Sequence, residues 1–347
     1  YISMTCPSPS GSSSLSHAAP QSDASSERVV QETSEDVQTF EQEAAEASIG
    51  LVSDRHKARI HRGMLCVLIG GAAWGAFGTA AKYLLDVYHV EPLWLIDVRE
   101  FFSALLFLGA AIVVDRKRLT QAMHDRQALG KIFSVSFTAI LFSQIAYIYA
   151  VDATNSATAT IMQALGMLGV LFFVCFKARR GPRKREVLGI AMALIGTYLL
   201  VTGGDLSSLR LPLRGVFWGA LCACAQTALS ILPKKLMEQW GNFVFNGIAF
   251  LFSSVCLAVV YQPWNHMPPL DSFGWILVVV GITVGTFLAY GLYLQGVQDA
   301  GSMRAVLLGT IEPVMATITT VIVLGTSFSV TDFIGFGLIL GMVVLTA

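Results

Sequence analysis

The sequence predicts an all-α membrane protein with ten transmembrane helices, arranged as two inverted five-helix repeats behind a disordered polar N-terminal tail. Three observations support this fold class. Of 347 residues, 54% are hydrophobic and only 13% are charged, which is too little charge to cover a soluble protein of this length. The polar residues are concentrated before Gly63, and the rest of the chain consists of apolar runs joined by short loops. The two halves of that apolar region are similar to each other. Net charge is zero, so composition gives no reason to expect nucleic acid as a partner.

The N-terminal segment is the first element. Residues 1–62 are rich in Ser, Glu, Gln and Ala and cannot bury enough apolar surface to offset the entropy of ordering. The segment also lacks the apolar core of a secretory signal. We therefore predict a disordered cytoplasmic tail over 1–62, a first repeat over 63–203 and a second over 204–347.

Ten apolar runs follow the tail, and several reach the roughly 20 residues needed to cross the hydrocarbon core of a bilayer. Inside that core their backbone polar groups can be satisfied only in helices. We call these runs spans 1 to 10. They cover approximately residues 64–85, 93–114, 132–151, 155–176, 186–203, 213–232, 243–261, 273–295, 301–324 and 329–347.

Basic residues predict the orientation of the spans. They cluster before span 1 and in the loops 115–131, 177–185 and 233–242, whereas the alternate loops hold few or none. By the positive-inside rule, the N-terminus and those three loops are cytoplasmic. We expect an integral, multi-pass protein of the plasma (inner) membrane.

The internal repeat becomes visible when the halves are aligned. At an offset of 146 residues, Tyr147 aligns with Tyr293 and Ser156 with Ser302, and at an offset of 152, Lys82 aligns with Lys234. Because each half has five spans, an odd number, the second half must enter the membrane from the opposite side. Inverted repeats of this kind are typical of alternating-access transporters, with the solute site near the membrane midplane.

Several short motifs carry a family resemblance. They are Trp74-Gly75 in span 1, Arg99 in span 2, Ser156 through Gln163-Ala164-Leu165 in span 4, and Ile311-Glu312-Pro313 in span 9. Over roughly residues 64–347 the chain resembles EamA-type transporters of the drug/metabolite transporter superfamily. The resemblance implies ten helices in two inverted repeats, a central cavity, and export of metabolites or amino acids. Where the family often has proline in span 4, this chain has Met167, although Pro313 stands at the equivalent place in the second repeat.

Glu312 is the first candidate site residue. It lies about eleven residues into span 9, roughly 16 Å deep at 1.5 Å per residue. A charged carboxylate is costly at that depth, and ionisable groups there usually serve function. Pro313 removes a backbone donor and frees the Gly309 carbonyl. Glu312 is thus a candidate for solute binding and proton coupling; the alternative is a protonated structural carboxyl beside a kink.

Arg99 has two interpretations. It lies only about 10 Å below the membrane surface, so it could extend to the interface, and Asp97 and Glu100 could neutralise it locally. Alternatively, its forked donors could anchor a carboxylate or phosphate of the solute.

Aromatic and amide side chains complete the candidate site. Trp74 lies near midplane, away from the interfacial belt, and must either pack in protein or line a cavity. Tyr147 and Tyr293 occupy matching places, and Tyr290 shares a helix face with Tyr293. Each polar side chain, Gln163 and Gln226 included, could instead make an ordinary interhelical hydrogen bond. Together they predict a partly polar, aromatic solute cavity.

No motif indicates an enzyme, a metal site or a cofactor. The sequence lacks HExxH, GxSxG, CxxC and a phosphate-binding P-loop, and Cys222 and Cys224 point to different helix faces. Without an ATP site, active transport would be driven by a gradient. We predict a secondary transporter of small amphipathic metabolites in the bilayer, exporting by alternating access. The alternatives are an uncoupled facilitator and a non-transporting sensor or assembly partner.

Overall fold

The structure is a computed structural model that describes residues 57–205 and 210–346, and these residues are helical without a strand. The predicted disorder of the tail concerns 1–56, which lie outside the described residues. We label the long helices α1 to α10. They are α1 Lys57–Val87, α2 Pro92–Val114, α3 Arg126–Ala153, α4 Ser156–Lys177, α5 Lys184–Thr202, α6 Leu213–Ile231, α7 Asn242–Tyr261, α8 Ser272–Ala300, α9 in two pieces, Ser302–Gly309 and Ile311–Leu324, and α10 Val330–Thr346.

The chain is a multi-pass membrane protein by the length and composition of these helices. Eight helices of the described ranges are long and apolar enough to cross a membrane. Val330–Thr346 is apolar but shorter, at 17 residues. Helix α2 has 23 residues and contains Asp97, Arg99 and Glu100. All ten helices coincide with the ten apolar runs, while their arrangement as inverted repeats stays a prediction.

The start of α1 differs from the sequence-based boundary. The helix begins at Lys57, inside the segment predicted as tail. Its first turns are anchored because Arg59 Nε lies 2.9 Å from Asp299 Oδ1 and Arg62 Nη2 lies 2.7 Å from Asp299 Oδ2. The two short helices Arg116–His124 and Lys234–Trp240 also lie where only loops were expected.

Helix packing gives α1 a central place. Gly70 faces α8, and Gly75 faces α9 so closely that a methyl group there would lie 2.8 Å from the Ala316 nitrogen. Gly78 lies against the Tyr147 and Ser156 hydroxyls of α3 and α4. Small residues thus allow α1 to approach the backbones around it. Elsewhere α2 packs extensively on α7, and α5 on α10.

Four helices are irregular in matching places. Helix α3 contains a π-helical segment, Ser136–Leu141, and α8 contains another, Thr283–Leu288, 147 residues further along. Helix α4 is interrupted at Leu165 and α9 at Thr310, 145 residues further along. In α9 the cause is Pro313, which has no N–H to offer the Gly309 carbonyl. The interruption of α4 forms without proline, through a tight turn in which the Leu168 N–H bonds the Leu165 carbonyl at 2.9 Å.

Candidate functional site

The irregular places of α3, α4 and α9 border one cavity of about 380 Å³, and in α8 the residues just after the π-helical segment do so. Helices α1, α2, α3, α4, α6, α8, α9 and α10 contribute to its wall. All eight predicted site residues line it, and whether they bind a solute stays a prediction. These residues are Trp74, Arg99, Tyr147, Gln163, Gln226, Tyr290, Tyr293 and Glu312.

Three aromatic side chains form one wall. The Trp74 ring meets the Tyr290 ring edge to face, with centroids 4.9 Å apart and planes at 79°. The Tyr293 ring lies 5.1 Å away on a tilted plane. Trp74 therefore both packs in protein and lines the cavity. Such rings offer a solute apolar surface together with the polar edge of tyrosine.

Arg99 is buried, with 6% of its surface exposed, and faces the cavity. Its guanidinium donates to Gln144 Oε1 and, at 3.5 Å, to Thr286 Oγ1, and lies 4.9 Å from the centroid of the Phe77 ring. The expectation that it could extend to the interface is therefore wrong, because these contacts hold the group inward. Its Nε has no partner among the described residues, which leaves one donor unused.

An amide pair joins the two halves of the chain across the cavity. Gln163 Nε2 of α4 donates to Gln226 Oε1 of α6 at 2.9 Å. The sequence allowed either an interhelical hydrogen bond or a place in the cavity wall, and this pair has both. Tyr147 makes a similar contact, its hydroxyl lying 3.3 Å from the Thr160 hydroxyl.

Glu312 lies at the interruption of α9. It stands in the first turn of Ile311–Leu324, where the unsatisfied N–H groups of a helix N-terminus favour negative charge. In the described part of the chain no side chain hydrogen-bonds its carboxylate. Among the described lining residues Arg99 supplies a positive charge and Glu312 a carboxylate. The cavity can therefore offer a cation, an anion and aromatic surface to one solute.

Sequence reasoning missed part of the wall. Phe77, Thr160 and Ser230 also line the cavity, as does Gln144, which lies three residues before Tyr147 on the same face of α3. Helical spacing could have identified two of the missed residues: Thr160 precedes Gln163 by three residues, and Ser230 follows Gln226 by four. Phe77 carried no polar signal, and only its contact with Arg99 reveals its place.

A partly polar cavity at interrupted helices of a multi-pass protein is typical of membrane transporters. Comparison with known proteins identifies the family. Residues 61–202 and 213–347 each match the EamA-like transporter family, and the chain belongs to it.

Curated relatives agree with this assignment. The chain is 29% identical over 286 residues to the uncharacterized inner membrane transporter YicL of Salmonella typhimurium, covering 82% of this chain and 94% of that protein. It is 24% identical to the uncharacterized transporter YwfM of Bacillus subtilis, covering 82% and 93%. A solved structure described only as "Crystal structure of protein" shares the fold, with a TM-score of 0.53 at 16% identity over 84% of this chain and 96% of that one.

Proposed function

We propose that this protein is a secondary transporter of the plasma (inner) membrane that exports amino acids or other small amphipathic metabolites by alternating access. The observation that carries the proposal is the cavity in which Arg99, Glu312 and the aromatic wall meet. A zwitterionic or amphipathic solute would place its anionic group at Arg99, its cationic group at Glu312 and its apolar part on Trp74. The family resemblance favours export over uptake.

The irregular helices support a pair of inverted repeats, 63–203 and 204–347. The π-helical segments and the interruptions recur at separations close to the 146-residue offset of the sequence repeat. The extensively packed pairs, α2 with α7 and α5 with α10, are the equivalent helices of the two halves. Both features are expected when one five-helix unit rocks against its inverted copy.

Glu312 is the proposed coupling group. An unpartnered carboxylate at midplane can exchange a proton whenever the cavity opens to one side or the other. The proton would leave or enter as the solute takes its place, so the pH gradient would drive export. Tyr147, Tyr293, Gln163 and Gln226 would hold the uncharged parts of the solute.

Flux into proteoliposomes tests this function. Radiolabelled amino acids, offered singly, should enter faster under an imposed pH gradient than without one. Glu312→Gln should abolish the gradient dependence, whereas Glu238→Gln, which neutralises an exposed carboxylate on the short helix Lys234–Trp240, should retain it. Gradient-independent flux in the unmodified protein would instead identify a facilitator, in which Glu312 is structural.

Orientation is tested separately. In a variant without native cysteines, Asn155→Cys and Gln262→Cys should react with an impermeant thiol reagent from outside intact cells, and Gly181→Cys should not. Reaction of Gly181→Cys from outside would overturn the proposed cytoplasmic N-terminus.

A further inference from the structure

A second cavity of about 470 Å³ lies beyond the first along the same helices. The order of lining residues shows this: α1 contributes Trp74 and Phe77 to the first cavity, and to the second it contributes Lys82, Tyr83, Asp86 and Val87. Helix α9 contributes Glu312 to the first, and Val323 and Leu324 at its end to the second. From Trp74 to Lys82 the distance along α1 is about 12 Å.

Along α1 and α9, hydroxyl side chains lie between the residues that line the first cavity and those that line the second. The Thr79 hydroxyl of α1 lies 2.7 Å from the Thr319 hydroxyl and 3.2 Å from the Thr320 hydroxyl of α9. Ser156 at the start of α4 is fully buried beside Gly78, and its Oγ has no partner among the described residues. We call Thr79, Ser156, Thr319 and Thr320 the hydroxyl layer.

The side chains of the hydroxyl layer suit a passage that can open and close. Hydroxyl groups give little stability to a contact between apolar helices, since such a bond contributes roughly 0.6 kcal/mol in a membrane. Parting α1 from α9 would expose the three threonine hydroxyls, which can replace their mutual bonds with bonds to water or to a polar solute. Ser156 already has an unused donor at this point.

The rim of the second cavity is polar as well. Lys82 Nζ donates to the Asp152 carbonyl at 2.8 Å and lies 2.9 Å from Asp86 Oδ1. Asp86 is 48% exposed, so an anionic group in the cavity could compete with it for the ammonium. Thr154, Asn155 and Thr326 add neutral hydrogen-bonding groups.

We propose that the second cavity is the next chamber on the solute path and that the hydroxyl layer is the gate between the chambers, closed in this structure. The chamber binds a hydrated solute that carries a hydrogen-bond acceptor or an anionic group, and Lys82 is the first residue to bind that group. This inference rests on the proposed transport function and adds a second solute site and a route to it.

A thiol accessibility experiment tests the gate without knowledge of the solute. In a variant without native cysteines, Thr79→Cys and Thr319→Cys are joined by oxidation in proteoliposomes. Ala164→Cys, which lines the first cavity, reports passage of an impermeant methanethiosulfonate reagent added to the side where Asn155→Cys is reactive. The control is the same Thr79→Cys, Thr319→Cys protein kept reduced, which carries the substitutions without the cross-link.

The 79–319 disulfide should slow modification of Ala164→Cys about tenfold or more, because it removes the open population. Reduction of the disulfide should restore the rate, and the modification of Asn155→Cys should be the same in the oxidised and the reduced protein. Thr79→Val with Thr319→Val, which loses the hydrogen bond without a cross-link, should instead raise the rate about threefold.

Two outcomes would overturn the proposal: equal rates with and without the 79–319 disulfide, or a valine pair that slows the reagent. Because the reagent reports access and not transport, a gate that responds as expected would stand even if no tested amino acid were carried. If the accessibility experiment contradicted the gate, the result of the flux experiment in proteoliposomes would still stand.

Discussion

The tight contact at Gly75 makes a quantitative prediction about how α1 and α9 are held together. A methyl group at this position would meet two backbone groups of α9, the Glu312 carbonyl and the Ala316 nitrogen, the latter at 2.8 Å. Backbone atoms cannot turn aside as a flexible side chain can, so the helices must separate until that distance reaches the 3.4 Å of ordinary contact. Overpacking of this kind costs about 1–3 kcal/mol, and the better helix propensity of alanine returns about 1 kcal/mol. We therefore expect Gly75→Ala to lower the free energy of unfolding by up to about 2 kcal/mol.

A matched control is available in α10. A methyl group at Gly337 meets nothing within 4 Å, so Gly337→Ala should stabilise the protein by up to about 1 kcal/mol. The assay is reversible unfolding by SDS in mixed micelles, followed by tryptophan fluorescence. If Gly75→Ala stabilised the protein as much as Gly337→Ala does, the close contact between α1 and α9 would be refuted.

Three further predictions concern the ends of the helices and the cysteines. Tyr88 donates to Asp271 at 2.6 Å, which holds the Asp271 pKa below its ordinary 3.8 and raises the pKa of Tyr88 to about 12. This contact therefore stabilises the fold above the ordinary pKa of Asp271 and is lost as pH falls through the lowered value; thermal midpoints should decline below about pH 4, less steeply in Tyr88→Phe. Asp299→Asn removes the partner of the two arginines at the start of α1, and should lower the thermal midpoint more at low salt than at high salt. An impermeant maleimide added to proteoliposomes should label neither Cys222, which is fully buried, nor Cys224, which lies midway along the apolar helix α6, as mass spectrometry of the digested protein would show.

The helices were predictable because a segment that crosses a bilayer must be apolar over its whole length. Each apolar run coincides with a helix, since backbone groups in hydrocarbon have no other way to be satisfied. The boundary near Lys57 was not predictable, because that extension depends on Asp299, which lies 237 residues from Arg62 in the sequence. The short helix Arg116–His124 was missed for a related reason: a basic amphipathic segment reads as a loop when hydropathy alone is considered.

Most of the residues that line the cavity with polar or aromatic side chains could be predicted from their expected depth in the membrane and their polarity. Glu312 and Trp74 were predicted to lie near midplane, where polar and amphipathic side chains are costly unless a cavity or a partner receives them. The direction of Arg99 was not predictable, because depth alone did not distinguish the interface from the cavity. Contacts with Gln144 and Thr286 decide it, and those residues lie on other helices.

The π-helical segment Ser136–Leu141 makes the cavity wall sensitive to chain length as well as to side-chain identity. Such a segment accommodates an extra residue within an α-helix, and one residue corresponds to about 100° of rotation around the helix axis. Deleting a single residue there would restore a regular helix and rotate either Gln144 and Tyr147 away from the cavity or the preceding turns away from their contacts. The matching segment in α8 stands in the same relation to Tyr290 and Tyr293. A one-codon deletion at either place could therefore give a relative of this protein a different wall while every wall residue kept its identity.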